Sequence, residues 1–337
     1  MAFTRPFILF ATVAACGGNS NTIVPEGPHY HYVANKVFVP VNSTQVKEYG
    51  LDLDGNGTTD NVLGGVLSFL AGQHLDVQAT LDKAVAEGSV NILVDMQTKD
   101  FMASSAAGFQ VLLGANPQPA ACNPMETYTC DMAMPPKCMG CQHQLTGTAS
   151  FTIMGTPPAP LTGKIAGGTF TGGPGDLNLQ IALGGTKAIE LDLIGARAKV
   201  SGATPTTIGD ASSGGAILAG AITQDDINMK VIPAIADQLG PIIARDCCGT
   251  GNTMHPDCTG LATAMPKCGC VANSTGSTVI SFFDSMPADC AVTTSEIQNN
   301  STIQGLLAPD VTIDGKMALS LGVKATAVGA MFTPAGQ

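Results

Sequence analysis

Between Leu145 and Val200 apolar and polar residues alternate at the two-residue period of a β-strand, and glycines interrupt the runs. Leu177, Leu179, Ile181 and Leu183 stand on one face, with Asn178 and Gln180 on the other. A strand buried on one face only belongs to an antiparallel sheet, so this stretch constrains the fold more than any other. Gly167-Gly168 and Gly172-Gly173-Pro174-Gly175 mark turns or bulges between such strands. From Glu190 to Val200 the acids Glu190 and Asp192 and the later bases Arg197 and Lys199 have opposite parity, which predicts a bulge near Ile194-Gly195. Val90 to Val94, Phe109 to Leu113, Val311 to Ile313 and Met317 to Phe332 read as further strands.

Helical periodicity appears in four places. The first runs about Asn61 to Ala71, with Val62, Val66, Phe69 and Leu70 on one face and a stop at Gly72. The second is capped by Asp76, carries Val77, Leu81, Ala84 and Val85, and ends at Gly88. In the third, Thr223 caps a helix whose Ile227, Val231, Ile235 and Leu239 recur every four residues, and Pro233 and Pro241 should kink or divide it. The fourth starts at Thr293, with Glu296 placed for a capping box, and ends near Leu307. Strands, helices and Gly-rich turns in this order predict an α+β fold, a mostly antiparallel sheet with helices on one side and disulfide-stapled loop insertions.

The amino terminus sets the compartment. Arg5 precedes an apolar run from Phe7 to Ala15 that is too short to span a bilayer, and Val13-Ala14-Ala15-Cys16 ends it with small residues before a cysteine. This resembles a bacterial lipoprotein signal over residues 1–15, with Cys16 acylated; an ordinary secretory signal is the alternative. Residues 16–35 then form a flexible tether, and residues 36–337 a single domain. Gly17 in place of Asp goes, in such lipoproteins, with export to the outer membrane, on its periplasmic or surface face. Charge fits an envelope protein with no nucleic-acid partner. Only 12% of the 337 residues are charged, the formal net charge is −11, and no basic stripe exists to attract phosphate.

Ten further cysteines fall in two clusters: Cys122, Cys130, Cys138 and Cys141, then Cys247, Cys248, Cys258, Cys268, Cys270 and Cys290. An oxidising compartment makes disulfides the expectation, closing loops at about 115–145 and 246–290, with pairing open within each cluster. Cys138-Met139-Gly140-Cys141 has CxxC spacing with His143 nearby, so zinc and thiol redox chemistry are the competing readings. Pro135-Pro136 before it disfavour a redox helix, and an oxidising compartment disfavours thiolate ligands.

One motif carries chemistry. Asp52-Leu53-Asp54-Gly55-Asn56-Gly57-Thr58-Thr59-Asp60 places oxygen side chains at loop positions 1, 3, 5 and 9 with glycine at 6, and Thr58 at position 7 can offer its carbonyl. Calcium takes six to eight oxygens, and alternate residues of a tight loop can point inward together. The nonapeptide resembles the EF-hand loop and its shortened relatives in dockerin and integrin-type calcium loops. Position 12 is Leu63, so water or a remote carboxylate such as Glu48 or Asp95 must complete the shell. Three carboxylates predict weak structural binding of Ca2+, in the ~10⁻⁵ to 10⁻³ M range of extracellular modules. The competing reading is a solvated Asx-rich turn.

Weaker candidates are His29-Tyr30-His31, two imidazoles on the tether; His74, His143 and His255, each single; and Met125, Met132, Met134 and Met139, apolar loop packing or a copper(I) surface. No GxSxG, HExxH, P-loop or helix-opening GxGxxG occurs, so no catalytic residue is assigned. Tyr49 to Gly57, Asp60-Asn61, Leu191 to Lys199, Gln224 to Asn228 and Leu319 to Val323 make the chain similar to a family of uncharacterised envelope lipoproteins from predatory and gliding Gram-negative bacteria. That resemblance implies location and no activity. The expected role is binding or cell-surface architecture, with the membrane as partner through the acyl group and a surface protein as a further partner. A carrier of a hydrophobic molecule or lipid is the alternative, and a secreted-type hydrolase gathering His143 or His255 with carboxylates is a third reading.

Overall fold

The computed structural model describes residues 23–72, 77–123, 129–131, 137–181, 188–210, 213–249, 252, 254, 268–285 and 289–333. Cys16, Cys258, His74, His255, Met125, Met132, Met134, Asp76 and Leu183 lie outside them.

Eight long strands follow one another around a closed antiparallel sheet: β1 (His29–Phe38), β2 (Ile92–Gln97), β3 (Ala103–Gln118), β4 (Leu161–Ala166), β5 (Thr169–Ile181), β6 (Ile189–Ser201), β7 (Gly215–Thr223) and β8 (Lys316–Gly329). β8 returns to β1, with Tyr32 opposite Gly329 and Val37 opposite Ala325, so the sheet is an up-and-down barrel. The alternation has its expected consequence. Leu191, Leu193, Ala198 and Val200 of β6 are buried in the lumen, while Glu190, Asp192 and Lys199 are exposed outside. Phe109 and Phe170 stack within that core with centroids 5.8 Å apart.

The bulge predicted in β6 is present. Arg197 opposes Ala219 and Ile194 opposes Ala221, so two residues of β6 face one of β7, and Gly195 adopts φ +60° at that point. The parity switch is therefore the point where the barrel wall bends.

Residues 29–35 do not belong to a tether. They form most of β1, because His29-Tyr30-His31-Tyr32 alternates: Tyr32 turns inward, fully buried, and its hydroxyl donates to the Thr204 carbonyl at 2.6 Å.

Among the described residues the α-helices lie in two connections at the same end of the barrel. α1 (Ser43–Tyr49), α2 (Val62–Gly72) and α3 (Val77–Ala86) join β1 to β2. A long helix, α4, runs from Gln224 to Asp246; α5 (Thr275–Phe283), α6 (Thr294–Asn299) and α7 (Ser301–Leu306) follow it before the short strand Val311–Ile313 pairs with β8. Leu63, Val66 and Leu67 of α2, Val77 of α3 and Val231 and Ile235 of α4 meet Ile181, Leu191 and Leu321 of the barrel, which closes that end with apolar surface.

Thr223 caps α4 as expected, its side chain accepting from the Asp226 N–H at 3.3 Å. Neither proline divides it. The helix instead widens to a π-turn over Ile227–Val231, where the Ile232 N–H donates to the carbonyl five residues back, directly before Pro233; Pro241 lies inside a continuous helix. The predicted fourth helix does divide. Thr293 and Glu296 form the capping box, then Asn300 ends α6 and caps α7.

The second cysteine cluster is less loop-like than expected. Cys247–Cys270 ties the end of α4 to a strand leading into α5, whose Val279 and Phe283 are buried; Cys248 and Cys290 each take part in a disulfide as well. In the first cluster Cys122–Cys141 closes a loop, and Cys130 and Cys138 are register partners across a short hairpin. Loops of 19 and 23 residues imply about 3 kcal/mol of chain-entropy stabilisation per bond.

Candidate metal centre in the barrel seam

β8 pairs with β1 from Lys324 onward and with Val311–Ile313 up to Ala318, so Leu319 to Val323 have no strand on that edge. An open edge inside a wall would leave backbone groups without partners. The segment carrying the nonapeptide fills the gap. The Asn61 side chain accepts from the Gly322 N–H at 2.8 Å and donates to the Gly322 carbonyl at 3.2 Å. It also caps α2 through the Gly64 N–H at 3.1 Å and donates to the Val46 carbonyl at 3.0 Å. Asp310 completes the edge, accepting from the Ser320 N–H at 2.7 Å and the Ser320 hydroxyl at 2.5 Å, while that hydroxyl's oxygen accepts from the Val62 N–H at 2.8 Å. Gly322 is required here, because a Cβ would collide with the Tyr49 carbonyl.

The loop from Asp52 to Asp60 is anchored at its base by the Leu51–Asp60 bridge, with the Asp60 N–H donating to the Leu51 carbonyl at 3.0 Å. Asp52 accepts from the Gly55 and Gly57 N–H groups at 2.7 and 3.0 Å, and Asp54 from the Asn56 N–H at 3.0 Å. The Asn56 carbonyl oxygen accepts from the Thr58 N–H at 2.7 Å and from the Thr58 hydroxyl. Gly55 and Gly57 both take positive φ, +81° and +86°, which lets the chain turn this tightly.

Oxygens of Asp52, Asp54 and Asp60 lie within 4.8 Å of one another. Asp60 is the unusual member, only 7% exposed, and accepts from the Leu53 N–H at 2.7 Å. Burial pushes its carboxyl above the usual carboxylate range. The Leu53 bond opposes that shift, and the charges of Asp54, Asp310 and Asp52 add to it. A neighbouring cation would favour the ionised form of such a group. Asn56 and Thr58, expected to add oxygens, lie in the same turn and are bonded to each other.

The remote acids expected to help do not. Glu48 faces Lys324 at 3.8 Å, and Asp95 lies on the barrel wall bonded to His29 at 2.8 Å. The distant acid that acts on Asp60 is Asp310, which sequence spacing could not connect to the loop because it lies about 250 residues away.

Beside the loop a polar groove of about 390 Å³ is lined by Asp54, Pro174, Asp176, Gly195, Arg197 and Asp314. The β6 bulge opens it, and the Arg197 Nε is buried there with no hydrogen-bond partner among the described residues.

A second cluster, missed as such by the sequence reading, lies at the other end of the barrel. His29 and His31 share the outer face of β1, and Asp95 on β2 is the register partner of His31. His29 Nδ1 bonds both carboxylate oxygens at 2.8 and 3.0 Å, His31 Nε2 stands 3.7 Å from Oδ1, and the His31 ring stacks on Phe332 at 4.4 Å. Burial holds the His31 imidazole below its ordinary pKa; Asp95 raises it and His29 lowers it further. These two clusters are the only groupings of His, Cys, Asp and Glu at ligand spacing among the described residues. His143 belongs to neither. It opens a 3₁₀ turn in the first cysteine loop.

Comparison with known proteins matches this chain to no family model, no curated protein and no solved structure.

Proposed function

We propose that the protein is an envelope lipoprotein, anchored through Cys16, whose barrel presents a binding or architectural surface and whose Asp52–Asp60 loop holds a structural calcium ion. The observation that carries the calcium reading is the convergence of three carboxylates within 4.8 Å around a buried Asp60. Asx-turn bonds alone account for Asp52 and Asp54, which are solvated. They do not account for burying Asp60 against two like charges, an arrangement that costs free energy without a counter-ion. Asp52, Asp54, Asn56, Thr58 and Asp60 would supply the protein oxygens and water the remainder. The ion would fix the loop that closes the barrel seam, so its role is structural.

The barrel interior supports a scaffold in preference to a carrier. Two apolar voids inside it, bounded by residues such as Val66 and Ile235 or Val37 and Leu218, measure about 20 and 10 Å³, room for one water at most. Open grooves lie outside it, one of about 390 Å³ next to the loop and one of about 470 Å³ beside Pro241 and Asn252.

Isothermal titration of the mature chain tests the ion: a single site with Kd of ~10⁻⁵ to 10⁻³ M is expected, lost in Asp52→Ala with Asp54→Ala. No heat up to ~10 mM calcium would remove the proposal. For the anchor, mass spectrometry of protein extracted from membranes should find diacylglycerol on Cys16, and Cys16→Ala should release the chain from the membrane fraction.

A further inference from the structure

The His29, His31 and Asp95 cluster belongs to no part of the calcium reading. It stands at the opposite end of the barrel from the helices, on two adjacent strands whose register is fixed by five consecutive residue pairs from His29–Gln97 to Val33–Leu93. Side chains two apart on β1 project from the same face, and Asp95 projects beside them, so the backbone alone brings two imidazoles and a carboxylate together. No loop has to order. Their ligand atoms lie within 4.8 Å of one another.

The pairing within the trio is incomplete. Asp95, 5% exposed, is satisfied by His29, but His31 Nε2 points toward the same carboxylate at 3.7 Å, beyond hydrogen-bond reach. That nitrogen is fully buried and has no hydrogen-bond partner among the described residues. Phe332 holds the ring from behind, so it cannot turn away without losing the stack. A buried ring nitrogen held without a hydrogen-bond partner beside an aspartate is costly in a protein that needs only a solid wall there. One divalent ion would engage all three groups.

We propose that His29, His31 and Asp95 form a second metal site, selective for a borderline divalent transition metal of the zinc class. Two nitrogens and one carboxylate oxygen suit that class, whereas calcium wants oxygens alone. Zinc bonds of about 2.0–2.2 Å put neighbouring ligand atoms roughly 3.0–3.5 Å apart, so shifts of about 1 Å convert the present arrangement into a coordination shell. The metal takes the place of the proton on His29 Nδ1, and the neutral ring then carries its one proton on Nε2, exchanged through solvent. His31 Nε2 and Asp95 are buried, so a fourth ligand, water or an exogenous donor, would reach the ion past the His29 side chain, which is 30% exposed.

The test uses the untagged, fully oxidised mature chain with residual thiols alkylated. Zinc competed against a chromophoric chelator should bind at one equivalent per chain, and cobalt(II) should give the visible absorption of a four-coordinate nitrogen–oxygen site. Removing a group that only hydrogen-bonds a metal ligand costs roughly 10–100-fold in metal affinity, so loss of a direct ligand in His31→Ala or Asp95→Asn should cost at least that. Asp52→Ala with Asp54→Ala should leave zinc binding unchanged, which separates this site from the calcium loop. Zinc-induced shifts of the His29 and His31 ring nitrogens in the wild-type NMR spectrum give a readout that needs no variant to fold. Absence of zinc binding at ~100 µM, unshifted ring nitrogens, or affinity unaltered in His29→Ala with His31→Ala would overturn the site.

Discussion

Replacing Asn61 with alanine should be among the most damaging single changes outside the barrel lumen. Its side chain makes four hydrogen bonds, to the Gly322 N–H and carbonyl, the Gly64 N–H and the Val46 carbonyl, and the residue is 4% exposed. Alanine removes all four bonds and leaves backbone groups of three segments facing a dry space. Each stranded group costs about 1–3 kcal/mol if nothing replaces its partner, and a lost N-cap alone costs about 1 kcal/mol. Water admitted through the opened seam recovers part of this, so the expected loss is about 3–5 kcal/mol, at the upper end for a point mutation. Asn61→Asp keeps the two accepting contacts but turns both donated bonds into oxygen–oxygen repulsions beside Asp60, and should cost a similar amount. Urea unfolding at fixed calcium, followed by far-UV circular dichroism, measures both. A loss below about 1 kcal/mol for Asn61→Ala, with unchanged m-value, would refute the idea that this side chain closes the seam.

Other outcomes follow from the same geometry. Because burial raises the Asp60 pKa above its unfolded value, its protonated form favours folding; without calcium, its contribution to stability should be fully present below the unfolded pKa of about 3.9 and be lost as pH rises through the folded value. Asp60→Asn should flatten that pH dependence in EDTA, stabilise the calcium-free chain at pH 7 and abolish the calcium response, all readable in denaturant titrations. Asp246 behaves oppositely. Arg245 first, then the Gly276 N–H at 3.0 Å, hold its carboxyl below the usual range, so its contribution exists above about pH 4 and disappears on acidification. Arg245 is largely exposed, so Asp246→Ala should cost only about 1–2 kcal/mol, mostly from the stranded Gly276 N–H, measurable by thermal unfolding at pH 7 against pH 3. Gly322→Ala should push the Tyr49 carbonyl off β8 and weaken calcium affinity together with stability, seen as parallel losses in titration calorimetry and melting temperature.

Local signals in the sequence were legible where one physical cause acts within a few residues. The parity switch around Ile194 located the β6 bulge, Thr223 and Thr293 marked helix starts, and the Asp/Asn/Gly spacing marked the loop. Features that depend on distant pairing were not. Closure of the sheet rests on β1 meeting β8 across nearly the whole chain, as in Val37 with Ala325, and no periodicity in either strand encodes its partner. The same limit hid Asp95 from His31 and Asp310 from Asp60. His29-Tyr30-His31-Tyr32 was assigned to a tether because prolines flank it, although its alternation is that of a strand with tyrosines inward. α5 was obscured because its Gly, Ser and Thr residues resemble a loop and its apolar positions, Val279 and Phe283, gain meaning only against α4.

Thermal unfolding of the mature chain across a calcium series decides whether the seam loop is an ion site. With Kd near 10⁻⁴ M, raising calcium to ~10 mM gives about 2.7 kcal/mol of linkage stabilisation, roughly a 4 °C rise in melting temperature for a chain of this size. The rise should be absent for magnesium at equal ionic strength and absent in Asp52→Ala with Asp54→Ala. A melting temperature that stays constant through the calcium series, or rises equally in the double variant, would mean that Asp52, Asp54 and Asp60 form a hydrogen-bonded turn and hold no ion.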